Sequence, residues 1–125
     1  MKHSPGFLRL VDEVRTRVRE VDIETALERQ KRGAQMIDVR EDNEWNRGHV
    51  ARAEHIGKGV IERDIEKLVP DRDAEIILYC GGGYRSVLAA DALQQMGYTN
   101  VSSMAGGWRA WVYQGAPVSD GDQVV

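Results

Sequence analysis

The segment Glu75-Ile76-Ile77-Leu78-Tyr79 runs into Cys80-Gly81-Gly82-Gly83, and an amphipathic stretch begins at Ser86. A short apolar run bounded by glycine reads as a buried strand. Leu88, Ala92, Leu93 and Met96 then recur at helical spacing, with Gly97 as the stop. A buried strand that turns directly into a helix is the first half of a parallel crossover, so it commits the chain to a layered α/β arrangement.

The rest of the chain alternates in the same way. Ser4 and Pro5 are placed as N-cap and first residue of a helix carrying Phe7, Val11, Val14 and Val18. Asp22 caps a second helix with Ile23, Ala26, Leu27 and Gln30, ended by Gly33. Gln35 to Val39 reads as a strand, Arg40 to Arg47 as a short helix closed by Gly48, and Ala53 to Ile56 as a short strand. Ile61, Ile65 and Leu68 mark a charged amphipathic helix that Pro70 stops. Val101 to Met104 is a strand, and Trp108, Trp111 and Val112 lie on a last helix ending at Gly115. The expected fold class is α/β: a mostly parallel sheet with helices on both faces and right-handed crossovers. In such sheets the site lies at the C-terminal ends of the strands. Cys80 falls at such an end by a placement that does not use its chemistry.

That placement gives the cysteine a function. Backbone N–H groups at a helix start lack intrahelical partners and lie at the positive end of the dipole. Gly81, Gly82 and Gly83 carry no Cβ atoms to stop the loop curling its N–H groups inward. Arg85 adds a permanent positive charge. The loop is built to hold a negatively charged sulfur. The competing reading, a buried cysteine beside a flexible turn, explains neither the arginine nor the strand-to-helix context.

Other chemistries fit less well. No Gly-Lys-Ser/Thr follows the glycines, so they are not a P-loop. One cysteine and three scattered histidines do not make a zinc site, and Ser86 is not in a nucleophile elbow. Disulfide reduction needs a resolving cysteine that this chain lacks. A cysteine–histidine pair with His49 or His55 has no local support. The net charge of −3 gives no reason to expect nucleic acid. No apolar run approaches the roughly 20 residues of a membrane span. A single cysteine, and an N-terminus without the apolar core of a signal peptide, lead to the expectation of a mature cytoplasmic protein.

Three ordered segments resemble a single-domain rhodanese, a sulfurtransferase. They are Ile37-Asp38-Val39-Arg40 with Glu44-Trp45 and Gly48-His49-Val50, then Tyr79-Cys80 through Arg85-Ser86, then Gly106-Gly107-Trp108 with Trp111 and Gly115-Ala116-Pro117-Val118. The resemblance covers residues 21–118. It leaves 1–20 as a helical extension packed on the domain and 119–125 as a loose polar tail. It implies a rhodanese-like three-layer fold with a mostly parallel five-stranded sheet. It also implies that Cys80 attacks the sulfane sulfur of a donor such as thiosulfate, becomes a persulfide, and passes the sulfur to cyanide in vitro or to a thiol in the cell. Gly81, Gly82, Gly83, Tyr84, Arg85 and Ser86 would bind substrate; Asp38 and Arg40 would brace the loop. No cofactor or metal is called for. The partners implied are a small-molecule sulfur donor and a protein donor or acceptor.

Two rivals remain beside it: a non-catalytic rhodanese-like binding module, against which Cys80 argues, and a cysteine phosphatase or arsenate reductase. Those enzymes resemble this fold but use a loop one residue longer. The four residues between Cys80 and Arg85 suit a sulfur atom better than a tetrahedral oxyanion. Two departures from the family pattern bear on the site. Gly81 stands where many rhodaneses have a basic residue, leaving Arg85 as the only charge in the loop. Ala51-Arg52-Ala53 replaces the frequent Pro-Gly-Ala, and Arg52 is a candidate for extra charge near the site. Glu44 is a partner for Arg85, for Arg40 or for solvent. Tyr84 is weighed equally as site lining and as an exposed ring, and His49 is read as structural.

Overall fold

The computed structural model describes residues 3–119. Helix α1 (Pro5–Arg15) starts where Ser4 and Pro5 predict. The Ser4 carbonyl accepts the Leu8 N–H at 3.0 Å, while its hydroxyl makes no capping bond. Strand β1 (Arg19–Val21) follows, then α2 (Ile23–Lys31), whose first turn is capped by the Asp22 carboxylate accepting the Thr25 N–H at 2.8 Å. Next come β2 (Gln35–Asp38), α3 (Asp42–Asn46), β3 (His49–Val50) and β4 (Glu54–His55). A 3-10 turn leads into α4 (Ile61–Leu68), and β5 (Ile76–Tyr79), α5 (Arg85–Gln95), β6 (Val101–Met104), α6 (Gly107–Tyr113) and β7 (Val118–Ser119) complete the order. No helix among the described residues is long and apolar enough to cross a membrane.

The main sheet has the order β1-β6-β5-β2-β4, and every pairing in it is parallel. Strand β5 is central, and Ile76, Ile77, Leu78 and Tyr79 are all fully buried. This explains its unbroken apolar sequence: both faces of a parallel sheet are covered. Ile76, Leu78 and Cys80 point into a core shared with Val11 and Val14 of α1, Ile61 and Ile65 of α4, and Val87, Ala90 and Leu93 of α5. Ile77 and Tyr79 point into the other core, with Ala26 of α2 and Trp111 of α6. Each large apolar side chain buried here contributes about 1.5–3 kcal/mol, so β5 and the residue that follows it are firmly anchored.

Three features depart from the sequence reading. Strand β1 straddles the expected boundary at residue 20: Arg19 and Glu20 pair with Ser102 and Ser103, so the sheet begins inside the stretch read as an extension. Strands β3 and β7 form a separate antiparallel arm, with Val50 opposite Val118. It includes Ser119 of the expected tail, whose remaining residues, 120–125, lie outside the described ones. Helix α3 starts two residues later than predicted, because Arg40 is held by Asp38 and the helix opens instead at Glu41, whose N–H donates to the Glu44 carboxylate at 2.9 Å.

Candidate active site

Cys80 directly follows β5 at the C-terminal edge of the sheet and is 1% exposed. The loop after it curls back over the sulfur. Gly83 takes a φ of +97°, in the left-handed region open to glycine, and its N–H donates to Cys80 Sγ at 3.2 Å. The Ser86 N–H, in the first turn of α5, donates to the same sulfur at 3.4 Å. The Ser86 hydroxyl lies 3.5 Å from Sγ and is located by a 2.8 Å bond with the Ser103 hydroxyl on β6. Hydrogen bonds donated to a sulfur favour its anionic form.

The shape of the loop is fixed from behind by α6. The Trp108 N–H donates to the Cys80 carbonyl at 2.7 Å, and the Arg109 N–H to the Gly81 carbonyl at 3.1 Å. This approach requires glycine at 107. Its φ is +56°, and a Cβ there would meet the Cys80 carbonyl oxygen and stand 2.9 Å from the Gly81 carbonyl carbon. With two loop carbonyls tied to α6, the loop keeps its N–H groups toward the sulfur.

Two arginines and one carboxylate set the charge at the mouth. Arg85 makes a forked pair with Glu44, Nη1–Oε1 2.8 Å and Nη2–Oε2 3.1 Å. The side-chain hydrogen bonds from Arg85 hold the Glu44 carboxyl down at about 2, against burial, which opposes the shift. Because the folded-state value lies below the ordinary carboxylate value, this pairing stabilises the fold fully above about pH 4.5 and is lost as pH falls toward 2. Melting temperature measured against pH should therefore fall more steeply through that window in the wild type than in Glu44→Gln.

The second arginine, Arg109, is one that the sequence does not single out. Its guanidinium lies over the loop glycines, 2.8 Å from where a Gly82 Cβ would stand. No hydrogen bond or ion pair joins that guanidinium to another described residue. A cavity of about 360 Å³ opens above the sulfur, lined by His3, Phe7, Glu44, Cys80, Gly82, Tyr84, Arg85 and Arg109. Tyr84 is half-buried in this wall, its ring 4.5 Å from that of His3.

The other candidates lie further out. Asp38 and Arg40 form a buried ion pair, Nη2–Oδ2 2.7 Å, and do not line the cavity. Arg40 donates to the Gly48 carbonyl at 2.7 Å, and its guanidinium sits 4.8 Å from the centre of the Trp108 ring. His49 stacks on Trp45 at 3.4 Å, with Nδ1 3.2 Å from the Trp45 carbonyl, and does not line the cavity at Cys80. Arg52, whose φ is +65°, lines a different cavity with Gln30, Ala34 and Met36, and so adds no charge to the wall around Cys80.

The family model for the rhodanese-like domain matches residues 22–114. A thiosulfate sulfurtransferase, GlpE of Coxiella burnetii, is 30% identical over 81 residues, which are 65% of this chain and 74% of that protein. The Bacillus subtilis protein YqhL is 35% identical over 80 residues, 64% of this chain, and the match spans 62% of that relative's length. Among solved structures, a Rhodopseudomonas palustris protein described as a possible tyrosine phosphatase superposes with a TM-score of 0.84 at 25% identity. That match covers 95% of this chain and 98% of the other.

Proposed function

The chain belongs to the rhodanese-like domain family, and from that premise we propose that it is a sulfurtransferase carrying sulfane sulfur as a persulfide on Cys80. The observation that carries this reading is the pair of backbone N–H groups, from Gly83 and Ser86, converging on a buried sulfur at the end of the central strand. They stabilise a thiolate without a neighbouring base, so the cycle has no need of His49.

In the first half of the cycle the Cys80 thiolate attacks the outer sulfur of a donor. With thiosulfate, the new S–S bond forms as the bond from that sulfur to the sulfonate breaks, and sulfite leaves with the bonding pair. In the second half an acceptor, cyanide or a thiolate, attacks the outer sulfur of the persulfide, and Cys80 leaves as the thiolate. This is covalent catalysis by double displacement. The charge shifts by one sulfur atom at each step. The loop from Gly81 to Ser86 meets it with fixed dipoles, the form of stabilisation that needs least reorganisation. Thiosulfate, an organic persulfide or a protein persulfide would serve as donor, and a small thiol or a protein thiol as acceptor.

Phosphoryl transfer is the second reading, raised by the relative described as a possible tyrosine phosphatase. It would use the arginine fork to hold a phosphate dianion. Here Glu44 occupies that fork at both nitrogens, which disfavours the reading.

Intact mass of the protein after incubation with thiosulfate, polysulfide or an organic thiosulfonate tests the proposal. We expect a gain of one sulfur atom, reversed by cyanide. Absence of any gain with all three donors overturns it.

A further inference from the structure

The segment from His3 through α1 lies outside residues 22–114, the stretch matched by the family model, yet its first residues stand at the mouth of the Cys80 cavity. Resting on the sulfurtransferase reading above, we propose that this segment selects the sulfur acceptor by size. His3 and Phe7 form a fixed wall that admits a small free thiol to Cys80 and shuts out a thiol borne on the surface of a folded protein.

The wall is built on Tyr84, which stands in the loop just before α5. The Tyr84 ring lies 4.5 Å from that of His3 and 6.3 Å from that of Phe7, and the His3 and Phe7 rings are 5.3 Å apart. The Arg15 guanidinium sits 5.1 Å from the centre of the same Tyr84 ring. Phe7 and Arg15 are about two turns apart on one face of α1, so the ring is gripped from both ends of the helix.

The wall is also rooted in the fold. Val11 is fully buried and Val14 is 3% exposed, in the core that also holds Cys80. Beyond the helix, Arg17 makes a forked pair with Asp91 of α5, Nε–Oδ1 2.9 Å and Nη2–Oδ2 3.2 Å. The Gln94 side-chain amide donates to the Arg17 carbonyl at 3.0 Å. Buried packing along its middle and an ion pair beyond its end hold α1 against α5, and so hold its first turn at the mouth.

With this segment in place, Glu44 of α3, Arg109 of α6 and the cluster of His3, Phe7 and Tyr84 ring a cavity above Cys80, which is 1% exposed. At about 360 Å³ it falls at the lower end of pockets that hold small organic ligands, about 300–1,000 Å³. A free thiol of a few atoms enters such a space whole. A thiol on a folded protein brings neighbouring backbone and side chains with it, and these meet the His3 and Phe7 rings before the thiol reaches the sulfur. Without those two rings, the cavity would lie open along Tyr84.

The transfer step is the same for both acceptor classes. The acceptor thiolate attacks the outer sulfur of the Cys80 persulfide, a new S–S bond forms on the acceptor, and the bond from that sulfur to Sγ breaks. The acceptor leaves as R–S–SH and Cys80 as the thiolate. One negative charge enters and one remains, and no oxidant or reductant is needed. Selectivity then comes from reach alone.

Single-turnover transfer from the full chain tests this. Cys80 is loaded with polysulfide, freed of excess donor and mixed with dithiothreitol or with reduced thioredoxin, and loss of the added sulfur is followed by intact mass. We expect the wild type to lose its sulfur readily to dithiothreitol and only slowly to thioredoxin. His3→Ala and Phe7→Ala should each raise the ratio of the thioredoxin rate to the dithiothreitol rate by on the order of tenfold, the lower end of what the shape of a pocket discriminates. That ratio cancels the intrinsic reactivity of the two thiols, and a merely structural loss would slow both reactions and leave it fixed. Phe7 also packs against the core, so His3→Ala keeps the test valid if Phe7→Ala melts early. Transfer from the wild type to thioredoxin as fast as to dithiothreitol, or a ratio unchanged in His3→Ala, overturns the proposal and leaves the persulfide reading standing. Failure of every donor to load Cys80 defeats that reading and the proposal with it.

Discussion

Replacing Cys80 by serine should lower kcat/KM for every sulfane donor by at least about four orders of magnitude, the scale of losing a covalent nucleophile. The protein should still fold. Serine is close in size, and its hydroxyl can take part in the contacts that the Gly83 and Ser86 N–H groups make to Sγ. The melting temperature should move by only a few degrees, since a buried hydroxyl that finds partners costs on the order of 1 kcal/mol. Mass spectrometry should find no added sulfur in Cys80→Ser under conditions that fully load the wild type. Residual uptake would place the acceptor sulfur elsewhere, and the chain has no second cysteine to supply one.

Asp38→Ala should have the largest effect on stability. Asp38 is fully buried and Arg40 is 4% exposed, so removal of the carboxylate leaves a buried guanidinium with its partner gone. Breaking one side of such a pair costs about 3–5 kcal/mol, a fall in melting temperature on the order of 15 °C for a domain of this size. A double variant, Asp38→Ala with Arg40→Met, should regain much of the loss, because it removes the uncompensated charge. Denaturant unfolding of the two singles and the double would give the coupling directly. Activity should follow stability in the single variant. Arg40 lies against the Trp108 ring, and the Trp108 N–H secures the Cys80 carbonyl, so the pair reaches the loop through one intermediate residue.

Much of this architecture is legible in the chain. The run from Ile76 to Tyr79, the glycine punctuation and the Asp22 cap are local signals with local causes, and they give the strand, the loop and the helix in the right places. Strand β1 carries no such signal: only Val21 of its three residues is buried, and pairing with β6 makes the strand. The arm of β3 and β7 is two residues wide on each side, too short for a periodic pattern. At the site, the cysteine, the glycines and Arg85 are contiguous and therefore readable. Arg109 is not. It reaches the mouth because Gly107 lets α6 approach the loop backbone, a tertiary contact that no spacing of residues announces. Phe7 shows a third case. Its helical spacing with Val11 and Val14 marks it as core, and it does pack there, yet the end of the helix brings the same ring to the cavity wall.

The packing of Cys80 has a consequence for motion. The side chain belongs to the same apolar cluster as Ile76 and Leu78, so the loop is anchored in the buried core. Native-state hydrogen exchange reports openings of the fold amide by amide. Three successive glycines are ordinarily the mark of a segment that exchanges within seconds. Here the Gly83 and Ser86 amides, bonded to a buried sulfur, should exchange on the slow timescale of β5, through global unfolding alone. On the proposed sulfurtransferase reading, Cys80 would then react from within a slowly exchanging core, and a donor would reach it through the standing cavity that it lines, with no local melting of the protein around it.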